Sequence, residues 1–399
     1  MERSKFQRAN LDRQFSRLPE EVNFCRKCVI SNQRPAITFD ADGVCSACRN
    51  ASYKEQIDWK KRELELEELL DKHRRKDGHW DVIVPASGGK DSGFVAHQLK
   101  TKWGMNPLTV TWTPMLYTDI GRRNYQAFVD SGFTNLFCNP DGVLQRKMAR
   151  LCFEELGDAF HVFVLGQVHY PIWMALKFGI PLVFYGENGA VEYAGDPKLV
   201  DRPYLAPEDW TGKLLKGCSL QELVTFGQNN KDYFRNFEVR PANLIFYDAP
   251  APEEIKRAGI RKYYYSYYHK WIPQENYYYA AEHTGLKANP ERSEGTYSKY
   301  ASLDDKLDGM HYWMGFIKFG FGRATQDASH EIRDGHITRE EGVALVRRYD
   351  GEFPSRYFAE FLAYLDITEE HFGAVVDAWR RPNIWDNAGG EWKLRHQVT

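Results

Sequence analysis

A short glycine-rich segment is the feature that most constrains the fold of this chain. Ser87-Gly88-Gly89-Lys90-Asp91-Ser92, here named the Gly-rich loop, follows the strand candidate 81–84 and precedes a helical pattern that carries Phe94, Val95 and Leu99. Glycines let backbone amides approach a phosphate closely, and a helix N-terminus attracts negative charge. The alternative is an ordinary glycine-rich turn. The location between a strand and a helix favours a phosphate-binding loop.

The Gly-rich loop is not a Walker A motif. That motif requires a glycine five positions before Gly89, and a serine or threonine directly after the lysine. Val84 and Asp91 occupy these two positions. A different mode of phosphate binding is therefore expected.

Short apolar runs alternate with helical patterns from residue 80 onward. We predict strands at 81–84, 108–112, 136–138 and 182–185, and helices at 122–130, at 143–156 and through Trp173 and Leu176. This alternation predicts an α/β fold with a parallel sheet covered on both faces. Ligands in such folds bind beyond the carboxyl ends of the strands. Chemistry is therefore expected after Val84, Trp112 and Tyr185.

Four of the seven cysteines form two closely spaced pairs, Cys25-x-x-Cys28 and Cys45-x-x-Cys48. Each pair can offer two thiolates from one tight turn, and two such turns complete a tetrahedral zinc site. Four protein ligands leave no open coordination position, which indicates a structural role. An iron–sulfur cluster is the main alternative, whereas a redox pair or a disulfide does not explain two adjacent pairs. We expect the remaining cysteines, Cys138, Cys152 and Cys218, to be buried thiols.

The chain divides into three regions that differ in residue composition and in the pattern of apolar residues. Residues 1–52 are an N-terminal segment with the zinc knuckle, 53–250 an α/β nucleotide-binding domain, and 251–399 a mainly helical C-terminal part. A charged helix is predicted over 53–76, with Gly78 as its stop. Helical spacing recurs at 252–270, 305–320, 338–349 and 354–380.

Charge and composition exclude several classes of protein. Lys plus Arg total 53 and Asp plus Glu 55, so the net charge is −2, which argues against a surface built to hold nucleic acid. No apolar signal region and no run of membrane-spanning length are found. We therefore expect a cytoplasmic protein without a membrane span.

The Gly-rich loop resembles the signature of the PP-loop ATP pyrophosphatases, which cleave ATP between the α and β phosphates. Four further features resemble the N-acetyl sugar amidotransferases within that superfamily: the four cysteines, Tyr185-Gly186-Glu187-Asn188-Gly189-Ala190, the stretch 289–297 and the stretch 318–325. The similarity runs from about residue 24 to about residue 350. The Gly-rich loop alone is specific only to the superfamily, so the narrower resemblance depends on the combination.

This resemblance implies a reaction and its participants. ATP, with Mg²⁺, adenylates the acetamido oxygen of a sugar carried on a nucleotide, and ammonia then displaces AMP to leave an acetamidino sugar. It also implies a separate glutaminase subunit and a cyclase-like subunit as ammonia-supplying partners, and a place in lipopolysaccharide or flagellin sugar biosynthesis. Zinc would be structural.

The resemblance also implies roles for single residues of the loop. Lys90 and the amides of Gly88 and Gly89 would hold pyrophosphate, Ser87 and Ser92 would hydrogen-bond it, and Asp91 would orient the loop or Mg²⁺. Trp112 would contact adenine, or it is a buried core aromatic.

Seven further residues outside the loop are candidates. Glu187 would act in catalysis and Asn188 would bind substrate, with helix capping as the alternative for both. Lys318 and Arg323 would reach the anionic sugar nucleotide, although single cations are usually solvated. Asp304, Asp305 and Asp308 would bind a metal or cap a helix.

Two other functions compete with the amidotransferase. Some tRNA-thiolating enzymes also join a zinc site to such a loop, but they need reactive cysteines near it and a basic surface. A zinc-knuckle interaction module with an inactive nucleotide fold is the third possibility. The intact loop argues against it.

Overall fold

Strands rich in aliphatic and aromatic residues form the centre of the fold, which a computed structural model describes for residues 6–205, 216–230 and 232–399. The strands are β1 (Val82–Pro85), β2 (Pro107–Trp112), β3 (Asn135–Cys138), β4 (Leu182–Tyr185), β5 (Tyr204–Leu205), β6 (Arg261–Tyr264), β7 (Trp385–Ala388) and β8 (Glu391–Leu394). Six of them form one sheet in the order β3-β2-β1-β4-β6-β5. Pairing is parallel from β3 to β6 and antiparallel only at β5. The predicted α/β class with a mostly parallel sheet is confirmed.

Helices connect and cover these strands. They are α1 (Ser46–Lys54), α2 (Trp59–His73), α3 (Lys90–Thr101), α4 (Asp119–Asp130), α5 (Gly142–Leu156), α6 (His161–Phe178), α7 (Gly189–Glu192), α8 (Leu220–Asn229), α9 (Pro241–Leu244), α10 (Pro252–Arg257), α11 (Tyr265–Tyr268), α12 (Pro273–His283), α13 (Asp308–Phe319), α14 (Arg323–Asp334), α15 (Arg339–Tyr349), α16 (Phe358–Leu365) and α17 (Glu369–Trp379). Within the described ranges, short 3₁₀ turns lie at Phe15–Arg17 and Ile245–Tyr247.

Alternate residues of each strand point into two separate cores, as the two-residue period of a strand requires. Ile83 and Val183 face α6, whereas Val84 and Phe184 face the side that α3 covers. Helix α6 is apolar around most of its circumference because it lies in the interior. Within the described ranges, no single helix is long and apolar enough to cross a bilayer. Only the pair α5 and α6 meets both criteria, and it is bent by 120°.

The direction of strand addition reverses next to β1. The chain builds β2 and β3 on one side of β1, and then returns to place β4 on the other side. The connecting segments after β1 and β4 therefore leave the sheet in opposite directions, and a crevice opens between them. This topological switch point is where ligands bind in open parallel sheets.

The charged helix predicted over 53–76 is two helices in the structure. Helix α1 ends at Lys54, and α2 starts after Asp58, whose carboxylate accepts a 3.1 Å hydrogen bond from the Lys61 amide. Helix α2 ends before Gly78 because Arg74 leaves the helical conformation. The Arg74 guanidinium donates to the carbonyls of Trp103 and Gly104 at 2.7 and 2.8 Å.

The sheet extends beyond the expected domain boundary at residue 250. Strand β6 pairs with β4, and α12 packs on α3, so residues up to about 283 belong to the α/β unit. The following region is helical except for the β7–β8 hairpin, as predicted. Helices α16 and α17 replace the single pattern over 354–380, because Asp366 adopts a left-handed conformation with φ of 53°.

Candidate active site

A cavity of about 710 Å³ lies at the switch point, a volume typical of small-molecule sites. Its lining includes the whole Gly-rich loop, Trp112, Glu187 and Asn188. We name it the central cavity. The structure thus brings together the predicted residues that follow three different strands.

The Gly-rich loop joins β1 to α3 through a backbone shape that only glycine allows. Gly88 has φ of 83°, and a Cβ placed on it would lie 2.8 Å from the Asn124 carbonyl oxygen. Gly89 is the N-cap of α3 and provides no side-chain cap, so the first amides of α3 remain available to a ligand. The Ser92 hydroxyl donates to the Gly89 carbonyl at 3.3 Å and accepts from the Ser87 amide at 3.4 Å.

Two charged side chains of the loop pair with each other. The Lys90 ammonium donates to Oδ2 of Asp91, and Nδ2 of Asn276 donates to Oδ1 of Asp91 at 3.3 Å. Asn276 lies on α12 and is buried. The orientation of Asp91 is therefore set by an element almost two hundred residues away in sequence.

Glu187 and Asn188 follow β4 and have different hydrogen-bond partners. The Tyr193 hydroxyl donates to Oε1 of Glu187 at 3.2 Å, and burial, aided by the charge of Asp91, raises the pKa of Glu187 to about 7. Asn188 caps α7, since its Oδ1 accepts from the Ala190 amide at 3.1 Å. Nδ2 of Asn188 is buried without a partner among the described residues. Capping is thus observed for Asn188, whereas the Glu187 carboxyl is available for chemistry.

Trp112 ends β2 with its ring buried against Gly166 of α6. It is a buried core aromatic, as the second of the two expectations states, and it also lines the central cavity. Its Nε1 has no hydrogen-bond partner in the described ranges. A buried donor of this kind is usually satisfied by a ligand or by water.

Sequence reasoning missed three charged residues of the cavity lining, Arg34, Asp196 and Lys262, and left a fourth ambiguous. Lys262 lies on β6 and Arg34 follows the first cysteine pair, and neither carries a sequence signal. Asp304, in the loop before α13, also lines the cavity, and burial raises its pKa to about 6. Its neighbour Asp305 instead holds the loop after β2 by accepting from the backbone amides of residues 115 and 116.

The structure does not bring Lys318 or Arg323 to the central cavity. Lys318 is 2% exposed, and its ammonium donates to Asp12 at 2.7 Å and to the Leu156 carbonyl at 2.6 Å. Arg323 starts α14 and donates to Asp327 at 2.9 Å. Both cations are occupied by partners within the protein, which spacing alone could not indicate.

The four paired cysteines converge as predicted into one buried group, named the cysteine cluster. Their Sγ atoms all lie within 4.8 Å of one another, and two of the separations are 3.9 and 3.8 Å. A tetrahedral ion with bonds of about 2.3 Å separates its thiolates by about 3.8 Å. The donor set and spacing therefore fit one zinc ion. An iron–sulfur cluster inserts several atoms between its thiolates and needs a wider arrangement.

The three other cysteines lie away from the central cavity. Cys152 and Cys218 are buried and Cys138 is half-buried, and burial raises the pKa of Cys138 and Cys218 to about 11. No cysteine occurs among the described residues that line the central cavity. Because their pKa is raised, the thiols of Cys138 and Cys218 are poor nucleophiles near neutral pH.

Comparison with known proteins gives two partial similarities. Residues 294–399, which span α13 to α17 and the β7–β8 hairpin, match the family described as LPS biosynthesis protein WbpG-like, C-terminal domain. An uncharacterized protein of Methanocaldococcus jannaschii is 32% identical over 87 residues, which is 22% of this chain and 31% of that protein. The chain thus matches less than a third of that relative's length. The helical C-terminal part is similar to a domain of lipopolysaccharide biosynthesis proteins.

Proposed function

We propose that this chain is a PP-loop ATP-dependent amidotransferase that converts the acetamido group of a nucleotide-linked N-acetyl sugar into an acetamidino group. The observation that carries the proposal is the central cavity, where an uncapped helix N-terminus and the Gly-rich loop meet Glu187 and Asn188. The match of the C-terminal part to an LPS biosynthesis domain supports a sugar substrate in bacterial surface-polysaccharide or flagellin sugar biosynthesis.

The reaction has two steps. The acetamido oxygen attacks the α-phosphorus of ATP, the α–β anhydride bond breaks, and the amide nitrogen loses its proton, giving an adenylated imidate and pyrophosphate. Ammonia then attacks the imidate carbon, the bond from carbon to the AMP oxygen breaks, and the entering nitrogen releases a proton. Adenylation is needed because an amide oxygen is otherwise a poor leaving group.

The loop residues would hold the phosphates of ATP. The amides of Gly88 and Gly89 and the ammonium of Lys90 would bind the departing pyrophosphate, with hydroxyl donors from Ser87 and Ser92. Asp91, already oriented by Asn276, would bind Mg²⁺, which offsets charge on the phosphates. Trp112 would contact adenine.

Glu187 would handle the proton of the second step. Its raised pKa keeps a fraction of the carboxylate protonated near neutral pH, so it can exchange a proton with the entering nitrogen. The unpartnered Nδ2 of Asn188 is a donor for the sugar. Ammonia would come from a separate glutaminase subunit together with a cyclase-like subunit.

Mass spectrometry of the product tests this function. The protein is incubated with ATP, Mg²⁺, ammonium and either UDP- or CMP-linked acetamido sugars, and AMP and pyrophosphate are measured. We expect a product whose mass is lower by the difference between O and NH. Lys90→Ala and Asp91→Ala should abolish AMP release while zinc stays bound, and Lys198→Ala, which alters an exposed lysine, serves as the control. Absence of AMP and pyrophosphate with all sugars would refute the proposal.

Thiolation of tRNA is the alternative function. It requires a cysteine persulfide or a similar sulfur carrier close to the adenylated base. The described lining of the central cavity contains no cysteine, and the net charge is −2, so both observations favour the sugar reaction. Formation of a thiolated nucleoside from tRNA and ATP would reverse this preference.

A further inference from the structure

Lys262 is a buried cation in the wall of the central cavity. It is the second residue of β6 and pairs in register with Val183 of β4 and Leu205 of β5. The residue is 4% exposed. Lysine is rarely buried to this extent without a partner, because removing the ammonium from water is costly.

No described residue forms a hydrogen bond or an ion pair with the Lys262 ammonium. The groups that face Nζ are the rings of Tyr185 on β4 and Tyr264 on β6, with centroids at 4.2 and 5.5 Å. His169 of α6 lies nearby, with its Nδ1 bonded to the Tyr247 carbonyl at 2.9 Å. Burial alone lowers the pKa of Lys262 to about 7. An anion in the cavity would restore its charge.

The position of Lys262 separates it from the Gly-rich loop. Ile83, Val183 and Lys262 lie side by side on β1, β4 and β6, so two strand spacings, about 10 Å, separate Lys262 from β1. Strand β1 ends at Pro85, two residues or about 7 Å beyond Ile83 along the strand direction, and the Gly-rich loop follows it. The two cations Lys90 and Lys262 therefore serve different ends of the cavity.

The strand order assigns these ends to different ligands. In the proposed function, ATP held by the Gly-rich loop with its adenine at Trp112 would extend from β1 toward β2. Lys262 lies on the other side of β1, beyond β4. The β4–β6 side of the central cavity is thus left for the second substrate, and Asn188, with its unpartnered Nδ2, lines the cavity just after β4.

We propose that the Lys262 ammonium binds a phosphate of the nucleotide carrier of the acetamido sugar, on the β4–β6 side of the central cavity. This inference rests on the proposed function. A carrier phosphate is the anionic group that distinguishes a sugar nucleotide from a free sugar. Lys262 would therefore select for the carrier, whereas Lys90 serves ATP.

Calorimetric titration of two ligands tests this assignment. The complete chain is first titrated with α,β-methylene-ATP and Mg²⁺, and then with UDP-N-acetylglucosamine or CMP-N-acetylneuraminic acid. We expect Lys262→Met to lower the affinity for the sugar nucleotide by at least about tenfold, as the loss of a charged hydrogen bond does. The affinity for the ATP analogue should change by less than about twofold. Lys262→Arg should keep most of the sugar-nucleotide affinity, and Lys198→Met should change neither. A diphosphate carrier and a monophosphate carrier are told apart by which of the two sugar nucleotides binds.

Three outcomes would overturn the inference. The first is an unchanged affinity of Lys262→Met for the sugar nucleotide. The second is an equal loss of affinity for the sugar nucleotide and for the ATP analogue in that variant. The third is failure of the wild-type protein to bind either sugar nucleotide. Melting temperatures show whether each variant is folded. If Lys262→Met does not fold, the comparison of Lys262→Arg with the wild-type protein remains a valid test. Failure of the proposed function is a different result, since it is seen as absence of AMP release from wild-type protein.

Discussion

Lys54 and Glu192 form a buried ion pair that joins the cysteine cluster to the candidate active site. Lys54 ends α1, whose N-cap is Cys45, and Glu192 ends α7, whose N-cap is Asn188. The Ser46 hydroxyl also donates to the Ala194 carbonyl. The cysteine cluster thus positions the helix that follows Glu187.

Removal of the metal should disturb the central cavity as well as the knuckle. We expect Cys48→Ser to lose bound zinc, to lower the melting temperature and to weaken binding of an ATP analogue, because α1 no longer holds α7. Metal analysis, thermal denaturation and calorimetry measure the three effects. Cys138→Ser is the control, since Cys138 is outside the cysteine cluster. Full zinc content in Cys48→Ser would contradict the assignment of the ligands.

Breaking the ion pair between Lys54 and Glu192 should be strongly destabilising. Either Lys54→Met or Glu192→Leu leaves the charge of the other residue buried without its partner, at a cost of about 3–5 kcal/mol in the free energy of unfolding. The double variant Lys54→Met with Glu192→Leu should recover much of that loss, because no unpaired charge remains. Urea denaturation of the four proteins measures the coupling. Additive losses would show that the two side chains act independently.

Substitution at Gly88 should abolish function through backbone geometry. Gly88→Ala places a Cβ at 2.8 Å from the Asn124 carbonyl, so the Gly-rich loop must move away from its position at the N-terminus of α3. Gly78→Ala is a matched control, since Gly78 has φ of 79° but no atom within 4 Å of its added Cβ. We expect loss of ATP binding only in Gly88→Ala, with a cost of about 1 kcal/mol in both variants from the positive φ. Equal ATP affinity in the two variants would exclude the steric explanation.

The pH dependence of AMP release should reflect Glu187. Its pKa is raised to about 7, so the carboxylate that accepts a proton is mostly absent below pH 7 and present above it. The rate should therefore rise with pH through this value. Glu187→Gln should lower the rate and remove this rise, which is one limb of the profile of rate against pH. An unaltered profile in Glu187→Gln would assign the limb to another group.

Replacement of Lys262 should stabilise the unliganded protein. Burial lowers the pKa of Lys262 from 10.5 to about 7, so its charge penalises the folded state fully below pH 7. The penalty declines as the pH rises from 7 to 10.5, because in this range Lys262 is neutral in the folded state and still charged in the unfolded state. Releasing its proton on folding becomes less costly as the pH rises. Lys262→Met should therefore raise the melting temperature by about 2 °C or more at pH 7, and by less at pH 10. A lower melting temperature at pH 7 would show that Lys262 has a stabilising partner.

Much of the fold could be predicted because it depends on local patterns. The spacing of Cys25, Cys28, Cys45 and Cys48 is enough to indicate one metal site, and the structure brings their sulfurs together. Likewise, the apolar run before Ser87 and the helical pattern after it predict a strand–loop–helix unit. The failures were at places where local patterns give no signal, such as the break between α1 and α2, which depends on the cap from Asp58.

The sequence by itself determined the parallel α/β sheet, the cysteine ligands and the loop between β1 and α3, because each follows from residues that are neighbours along the chain. Only the tertiary structure decided which cations reach the central cavity. Lys318 is close to a glycine-rich turn in sequence but is buried against Asp12, whereas Lys262 has no motif and faces the cavity. Burial and pairing of a charge depend on which distant segments pack around it, and the spacing of residues along the chain does not indicate those segments.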